Sequence, residues 1–315
     1  MWTTAWGLAA VQKERAKTFK AKSSPGVIIS IDGESYLSKI VSCIVPPGGS
    51  ASISLEVPGI PPENLRPRWN ATAGVLKMKS HGLVVEWTAP KAYGVHPMDV
   101  DIFDVPSQKI LTRVRVMGIV MIPFEWTSKA RREPYLKLFK KRLRAGLNIQ
   151  ELLPGFISVT RYNTDMFISP HFRLGQFTCK EDKKFPKLIA LNYKLVNKLE
   201  ILLSRLNKGR IRCRQLAVLS GYRSPGYNHT IGNVRFSRHQ FGEAADVFVD
   251  ENHDGRMDDL NHDGKINIQD AKVLLKFVDV LDNGGIHPGG AAAYSATKLH
   301  GPFVHIDVRG YKARW

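Results

Sequence analysis

The chain has 315 residues, of which 43% are hydrophobic, and a formal net charge of +18. This length and composition leave room for two domains with a sizeable core, and they exclude an intrinsically disordered protein. No apolar run reaches the roughly 18 to 20 residues that a membrane-spanning helix needs, so we expect no transmembrane segment.

The positive charge favours polyanionic partners such as nucleic acid, anionic lipid or an acidic cell envelope. We expect no nucleic-acid partner, because zinc-finger spacing, an RNA-binding signature and a basic helix with aromatic stacking positions are all missing. The basic region 129–144 is predicted to be a solvated linker or helix face. Cys179 and Cys213 are interpreted either as a disulfide pair or as buried thiols.

The first half of the chain is predicted to be an all-β domain after a basic segment. Residues 1–25 are basic, and their apolar stretch 2–11 makes a poor signal peptide because no positive charge precedes it. Short β-branched runs between glycine and proline turns predict a small β-sandwich over 26–123. The region 69–94 resembles bacterial immunoglobulin-like modules, which implies a spacer or binding module. Residues 124–165 show no sustained period and are predicted to be a connector.

The second half is predicted to be a mixed domain, which makes the whole chain α+β. Apolar residues recur every three or four positions from Leu188 to Leu206 and stop before Gly209, which predicts an amphipathic helix covering a sheet. A buried strand is predicted over 216–219, and it leads into a loop containing Arg223.

Three polar residues of this half have the chemistry of an open zinc site. Such a site needs three nitrogen or oxygen ligands and a fourth position for water, and His239, Asp246 and His305 supply that number. On spacing alone, a His and an Asp seven residues apart are more typical of a polar surface turn. The neighbouring residues therefore decide between the two interpretations.

Three segments, 220–228, 237–246 and 301–307, occur in order and resemble the D-Ala-D-Ala carboxypeptidase family of zinc peptidases. The wider group includes VanX-type dipeptidases, lysostaphin-type enzymes and hedgehog domains, and the resemblance covers 166–315. It implies an antiparallel-sheet zinc peptidase domain with zinc on the three residues above. It also implies that Arg223 steadies an oxyanion and that Ser237 touches the substrate, a peptidoglycan stem peptide. We therefore expect a periplasmic or extracellular location, and we expect a monomer.

The general base is the missing part of this pattern. Many family members place an acid three residues before the last zinc histidine, or a histidine two before it, where this chain has Pro302 and Phe303. Asp307 shares a strand face with His305 and is the first candidate to orient either water or that histidine. His300 is the second candidate. The alternatives are a non-catalytic wall-binding or signalling module, and a scaffold component that docks a partner.

A calcium-binding insert is predicted over 250–282, because this segment resembles a dockerin-type EF-hand loop. An acidic surface turn is the alternative interpretation. A second ion would share ligands, and calcium is expected to stiffen the strand that also carries Asp246. The predicted calcium ligands are Asp259, Asn261, Asp263, Lys265, Asn267 and Asp270, and those of the second ion are Asp250, Asn252, Asp254 and Asp258.

Overall fold

The computed structural model describes residues 26–144, 146, 148–181 and 183–315, so the predicted basic segment 1–25 lies outside the described residues. The chain is a mixed α+β protein with several sheets and few helices. It divides into two compact units. In the described residues, the first unit comprises 26–122 and 168–170. The second unit comprises 123–144, 146, 148–167, 171–181 and 183–315.

The N-terminal unit contains two β-sheets, with the strand orders β2-β1-β4-β7-β6 and β3-β9-β8-β5. Alternate residues along strands such as β4 are buried, and both sheets supply fully buried side chains such as Trp87 and Met98. This alternation is typical of strands with one buried face, and both the sandwich and the immunoglobulin-like assignment stay predictions. The strands are β1 (Ile28–Ile31), β2 (Glu34–Leu37), β3 (Ile40–Val45), β4 (Ser50–Glu56), β5 (Leu65–Ala71), β6 (Val75–Lys79), β7 (Val84–Thr88), β8 (Gly94–Asp104) and β9 (Ile110–Val120).

The C-terminal unit is built around a five-stranded sheet with the order β13-β14-β16-β15-β17. Helix α6 packs on β15 and β16 and also against α4. A short strand β10 (Ile122–Pro123) lies at the boundary between the units. The other elements are α1 (Lys129–Leu138), α2 (Lys140–Arg144), α3 (Ile149–Leu152), β11 (Gly155–Val159), β12 (Lys187–Ile189), α4 (Tyr193–Lys208), β13 (Leu216–Ser220), α5 (Pro225–Thr230), β14 (Ala244–Val249), α6 (Ile268–Asn283), β15 (Gly290–Tyr294), β16 (Phe303–Asp307) and β17 (Ala313–Arg314).

Helix α4 confirms the predicted amphipathic helix, although it begins later than the apolar pattern does. The Asn192 side chain accepts a hydrogen bond from the Lys194 N–H and caps the first turn, while Leu188 lies in β12. The buried stripe runs from Leu195 to Leu206, and the helix ends at Gly209. The capping side chain therefore sets the start of the helix.

The segment 124–165 carries α1, α2, α3 and β11, and residues 123–167 group with the C-terminal unit. Tyr135 of α1 is fully buried among the rings of Phe124, Phe156 and Phe241. Its hydroxyl lies 2.7 Å from that of Tyr222, in the loop that follows β13. These contacts attach the helical segment to the loops around Arg223 and His239.

The segment 250–267 connects strand β14 to helix α6, so a strand precedes the loops where an EF-hand has a helix. Two similar loops follow each other, each with a histidine and a glycine at positive φ, and Asn267 then caps α6 in a capping box with Asp270. Cys43, Cys179 and Cys213 are buried free thiols, which favours the second of the two cysteine interpretations. In the described residues, no helix combines the length and the apolar character needed to cross a bilayer.

Candidate metal centre

The three predicted zinc ligands meet at one end of the five-stranded sheet. Strands β14 and β16 are antiparallel, and Asp246 lies directly opposite His305. Ser220 of β13 lies on the other side of Asp246. His239 comes from a 3-10 turn (Arg238–Phe241) that ends at Gly242, where φ is +66° and an added Cβ would lie 2.2 Å from the Ala190 carbonyl oxygen. A glycine is therefore required to bring this turn onto the sheet.

The ligand atoms form a nearly equilateral triangle. His239 Nε2 lies 3.1 Å from His305 Nδ1 and 3.2 Å from Asp246 Oδ1, and His305 Nδ1 lies 3.0 Å from Asp246 Oδ1. Zinc bonds of about 2.0–2.1 Å at tetrahedral angles require ligand atoms roughly 3.3 Å apart, so the spacing and donor set fit zinc. His239 and Asp246 are buried, whereas the His305 side chain is 12% exposed, which leaves the site open to solvent on that side.

Each histidine has a partner that fixes which nitrogen faces the triangle. His239 Nδ1 lies 2.6 Å from the Gly221 carbonyl oxygen, which can only accept, so Nδ1 carries the proton. His305 Nε2 lies 3.4 Å from Asp307 Oδ2 and donates to that carboxylate. The remaining lone pairs, on His239 Nε2 and His305 Nδ1, therefore converge on one point, as metal ligands require.

The charges of the site also suit the binding of a metal ion. Burial disfavours the ionised carboxylate of Asp246, but the neighbouring His239 and His305 hold its pKa well below the usual value. Burial lowers the pKa of His239, which keeps that ring in the neutral form that binds metals. Burial also opposes protonation of His305, yet its hydrogen bonds to Asp246 and Asp307 raise its pKa. A cation and a proton therefore compete for His305 Nδ1.

Asp307 lies behind His305, on the side away from the ligand triangle. It is fully buried, and it accepts hydrogen bonds from the Gly290 N–H at 2.6 Å and from Arg309 Nε at 3.0 Å. An added Cβ on Gly289 would lie 1.7 Å from the Asp307 carbonyl oxygen, so only glycine allows this approach. Both carboxylate oxygens of Asp307 are engaged in holding His305 and Arg309.

Arg223 lies inside the site. Its Nη2 donates to Asp246 Oδ2, and its Nε donates to the Ser220 hydroxyl at 2.8 Å. Ser237 is buried and immediately precedes the turn that carries His239. The described contacts of His300 are with the Gly301 carbonyl oxygen and the ring of Phe303, so they do not reach the triad. The structure therefore brings Arg223 to the ligands, and the role of His300 stays a prediction.

The predicted calcium ligands lie in the two loops that follow β14. Asp250 Oδ1 accepts from the Asp254 N–H, and Asp259 Oδ1 accepts in the same way from the Asp263 N–H. Asp270 is fully buried and accepts from the Leu260 N–H at 2.9 Å. Among the described His, Cys, Asp and Glu residues, only His239, Asp246 and His305 form a group of three with ligand atoms within 4.8 Å of one another. Calcium binding therefore stays a prediction.

Two features near the site were missed at the level of sequence. Lys198 of α4 is fully buried, and its Nζ donates to Asp282 Oδ1 at 2.7 Å and to the Asp307 carbonyl oxygen at 3.0 Å. Its position three residues after Leu195, on the apolar stripe, was the available signal. Trp315 packs on His305 with ring centroids 5.5 Å apart, and its Nε1–H donates to the Tyr294 hydroxyl. An aromatic surface therefore borders the open side of the site.

Comparison with known proteins gives one family match. Residues 171–267 match the family model described as Peptidase M15, a segment that contains His239 and Asp246 and ends before His305. The match supports a metallopeptidase, and hence a hydrolase, for the C-terminal unit. No curated protein matches the chain.

A solved structure also matches part of the chain, and it is described as "Ab initio phasing of a nucleoside hydrolase-related hypothetical protein from Saccharophagus degradans that is associated with carbohydrate metabolism". It is 14% identical with a TM-score of 0.24, and the match covers 31% of this chain and 26% of that one. The chain thus spans about a quarter of that protein's length. At this identity and TM-score, the match indicates neither the fold nor the function of this chain.

Proposed function

We propose that the C-terminal unit is a zinc-dependent peptidase that hydrolyses peptide bonds in the stem peptides of peptidoglycan. The observation that carries this proposal is the convergence of three ligand atoms, 3.0–3.2 Å apart, with each histidine held in the tautomer that binds metal. The Peptidase M15 match over 171–267 supports the same class of reaction. The substrate implies that the protein acts in the periplasm or outside the cell.

The residues around the triad have different roles in the proposed reaction. Zinc, when bound, supplies an activated water and polarises the scissile carbonyl. His239, Asp246 and His305 hold it, and Asp307 fixes the orientation of the His305 ring. Arg223 is proposed to steady the negative charge on the carbonyl oxygen of the substrate, and its contact with Asp246 keeps the guanidinium beside the reacting atoms. Ser237 is proposed to contact the peptide.

The proposed peptidase could cleave either a terminal peptide bond or a crosslink. Both a D,D-carboxypeptidase, which releases a terminal residue, and a crosslink endopeptidase use this chemistry. The exposed aromatic surface formed by Trp315 and Tyr294 beside His305 gives the substrate an open approach to the metal, which suits a long or crosslinked peptide. We therefore favour the endopeptidase.

One observation favours a non-catalytic alternative. Pro302 and Phe303 stand where many related peptidases have an acid or a histidine, and both carboxylate oxygens of Asp307 are already engaged. A wall-binding or signalling module would keep the metal for structure alone. The same digestion experiment distinguishes the two functions.

Calcium is proposed as a second cofactor of the loops between β14 and α6. The support is the repeated Asp-x-Asn-x-Asp-Gly pattern, which begins at Asp250 and again at Asp259. Calcium titration of the zinc-loaded protein by calorimetry tests this, with the double variant Asp259→Ala and Asp263→Ala as the control. We expect saturable binding that the double variant loses, and heat of dilution alone would contradict it.

The function is tested by digesting intact sacculi with the zinc-loaded chain and analysing the released fragments by mass spectrometry. We expect opened crosslinks or released D-alanine, no product after zinc chelation, and no product from the His239→Ala variant. His171→Ala is the matched control, because His171 is a half-exposed histidine of the same unit that pairs with Glu200. Binding to sacculi without any product in zinc-replete buffer would contradict the peptidase and favour the alternative.

A further inference from the structure

The N-terminal unit has a groove of about 400 Å³ along the open edge of strand β5. This volume lies within the range of roughly 300–1,000 Å³ that is typical of small-ligand sites. The groove is separate from the proposed peptidase site, because its residues belong to the other compact unit. Its lining residues are Arg66, Pro67, Arg68, Trp69, Met78, Phe103, Val105 and Gln108.

The groove combines an apolar wall with two exposed guanidinium groups. Arg66 and Arg68 alternate along β5 with buried Leu65, Pro67 and Trp69, so both arginines lie on the same face of the strand. Residues two apart on a strand are about 6.6 Å apart along its axis. The two arginine side chains therefore leave the strand at the spacing of alternate side chains in an extended peptide.

The charges of both arginines are available to a ligand. Asp101, which lies opposite Arg68 across the β5–β8 pair, accepts a hydrogen bond from Arg113 at 3.0 Å. In the described part of the chain, neither Arg66 nor Arg68 has a carboxylate oxygen within 4.0 Å. The Arg68 guanidinium lies over the Phe103 ring, 4.7 Å from its centroid, which limits its motion before a ligand arrives.

The strand edge itself disfavours one mode of binding. An open edge can add a strand through backbone hydrogen bonds, but Pro67 lies in the middle of β5 and has no N–H to donate. Pro67 therefore removes one backbone donor from this edge, and we expect side chains to supply the specific contacts with the occupant. The basic segment 1–25 is a poor occupant, because its charged residues are mostly Lys and Arg, which the two guanidiniums would repel.

We infer that this groove binds a short acidic peptide whose carboxylates lie on alternate residues, with the connecting residue against Met78 and Val105. The two carboxylates would each accept hydrogen bonds from one arginine, and the Gln108 amide lies at the end of the groove. This inference goes beyond the proposed peptidase function and does not depend on zinc. It makes the N-terminal unit a peptide-binding module.

The inference is tested by calorimetric titration of the full chain, at low ionic strength, with acetyl-Glu-Ala-Glu-amide. We expect saturable binding, no binding of the matched acetyl-Gln-Ala-Gln-amide, and about tenfold weaker binding for each of Arg66→Gln and Arg68→Gln, since a hydrogen bond to a charged group is worth at least that factor. The matched control is Arg113→Gln, an arginine on the same sheet that is already paired with Asp101 and does not line the groove.

Several outcomes would overturn the inference. Equal weakening by Arg113→Gln would mean that binding follows total charge rather than the groove. Binding of inorganic phosphate or of a digalacturonate in place of the peptide would assign the groove to a different class of ligand. Loss of binding in the His239→Ala variant would mean that the peptide binds at the proposed metal site. Unchanged binding in that variant would show that the groove acts independently of the peptidase site, so that failure of the peptidase proposal would leave this result standing.

Discussion

Asp307 determines which ring nitrogen of His305 faces the ligand triangle, because its carboxylate accepts a hydrogen bond from the other nitrogen. We predict that Asp307→Asn weakens zinc binding by about 10-fold to 100-fold, the usual effect of removing a partner of a metal-bound histidine. Competition with a chromogenic chelator measures this affinity. Asp101→Asn is the control, because Asp101 belongs to the N-terminal unit. Unchanged affinity would show that Asp307 does not orient the ligand.

His171 and Glu200 form a pH-sensitive pair away from the metal site. His171 Nδ1 lies 2.7 Å from Glu200 Oε2, and this hydrogen bond raises the pKa of His171. A raised folded pKa gives stability that is fully present below the unfolded pKa of about 6.5 and is lost as the pH rises through the folded value. Because the histidine is half-exposed, the effect is at most about 1 kcal/mol.

We therefore predict that Glu200→Gln destabilises the C-terminal unit at pH 5.5 and has little effect once His171 is neutral in the folded protein. Glutamine keeps an acceptor for the His171 backbone N–H, so the substitution removes mainly the charge. Urea unfolding at several pH values measures the difference in unfolding free energy between the two proteins. A difference that grows with rising pH would contradict the assignment.

The residues of the metal site were largely predictable, but their supporting partners were not. The segments 237–246 and 301–307 carry the side chains whose chemistry indicated His239, Asp246 and His305 as ligands. The acceptor that orients His239 is the Gly221 carbonyl oxygen, and a backbone group carries no sequence signal. The proximity of Asp307 to His305 was predictable from strand spacing, whereas the engagement of both its oxygens depends on Arg309 and the tight approach of Gly289 and Gly290.

Helices α4 and α6 are joined to the site by a buried ion pair. The Lys198 ammonium contacts Asp282 and the carbonyl oxygen of Asp307, and Arg314 Nη2 donates to the other oxygen of Asp282 at 2.5 Å. Burial lowers the pKa of Lys198, although Asp282 opposes this shift. The network connects both helices to the end of β16 that carries His305.

We predict that Lys198→Met destabilises the C-terminal unit by about 3–5 kcal/mol, because it leaves the buried Asp282 charge with one partner fewer. Chemical denaturation of the full chain measures the loss. Lys194→Met, at an exposed position of the same helix, is the matched control and should change the unfolding free energy by less than about 0.5 kcal/mol. Equal effects of the two substitutions would contradict a role for the buried network.

The period of apolar residues predicted α4, but it could not predict what Lys198 contacts. Asp282 lies 84 residues further along the chain. Such pairing depends on how α6 packs on the sheet, which a local pattern does not encode. The apolar period also placed the start of α4 too early, because Leu188 belongs to β12 and the Asn192 cap lies three residues after that strand ends.

We expect the division into two units to affect how the chain unfolds. The proposed zinc ligands all lie in the C-terminal unit, so bound metal would stabilise that unit alone. We predict two thermal transitions in scanning calorimetry of the zinc-loaded chain, of which zinc chelation lowers one and leaves the other in place. In the His239→Ala variant, the zinc-sensitive transition should stay at its lowered temperature whether or not the chelator is present. A shift of both transitions would contradict independent units.

Composition and turn chemistry anticipated a β-rich first half and a mixed second half. They did not anticipate that residues 123–167 group with the C-terminal unit. Two kinds of contact account for this: the strand 155–159 pairs with 187–189, and Tyr135 is fully buried, with its hydroxyl in contact with Tyr222 and the Gln240 carbonyl oxygen. A polar aromatic residue in a basic helix gives no sequence indication of such distant partners.

The most direct measurement of the central proposal is the zinc X-ray absorption spectrum of the metal-loaded full chain. We predict two imidazole nitrogens and two oxygens at about 2.0–2.1 Å, one oxygen from Asp246 and one from exchangeable water. A sulfur neighbour, a third imidazole, or a fourth protein ligand in place of water would contradict an open hydrolytic site at His239, Asp246 and His305.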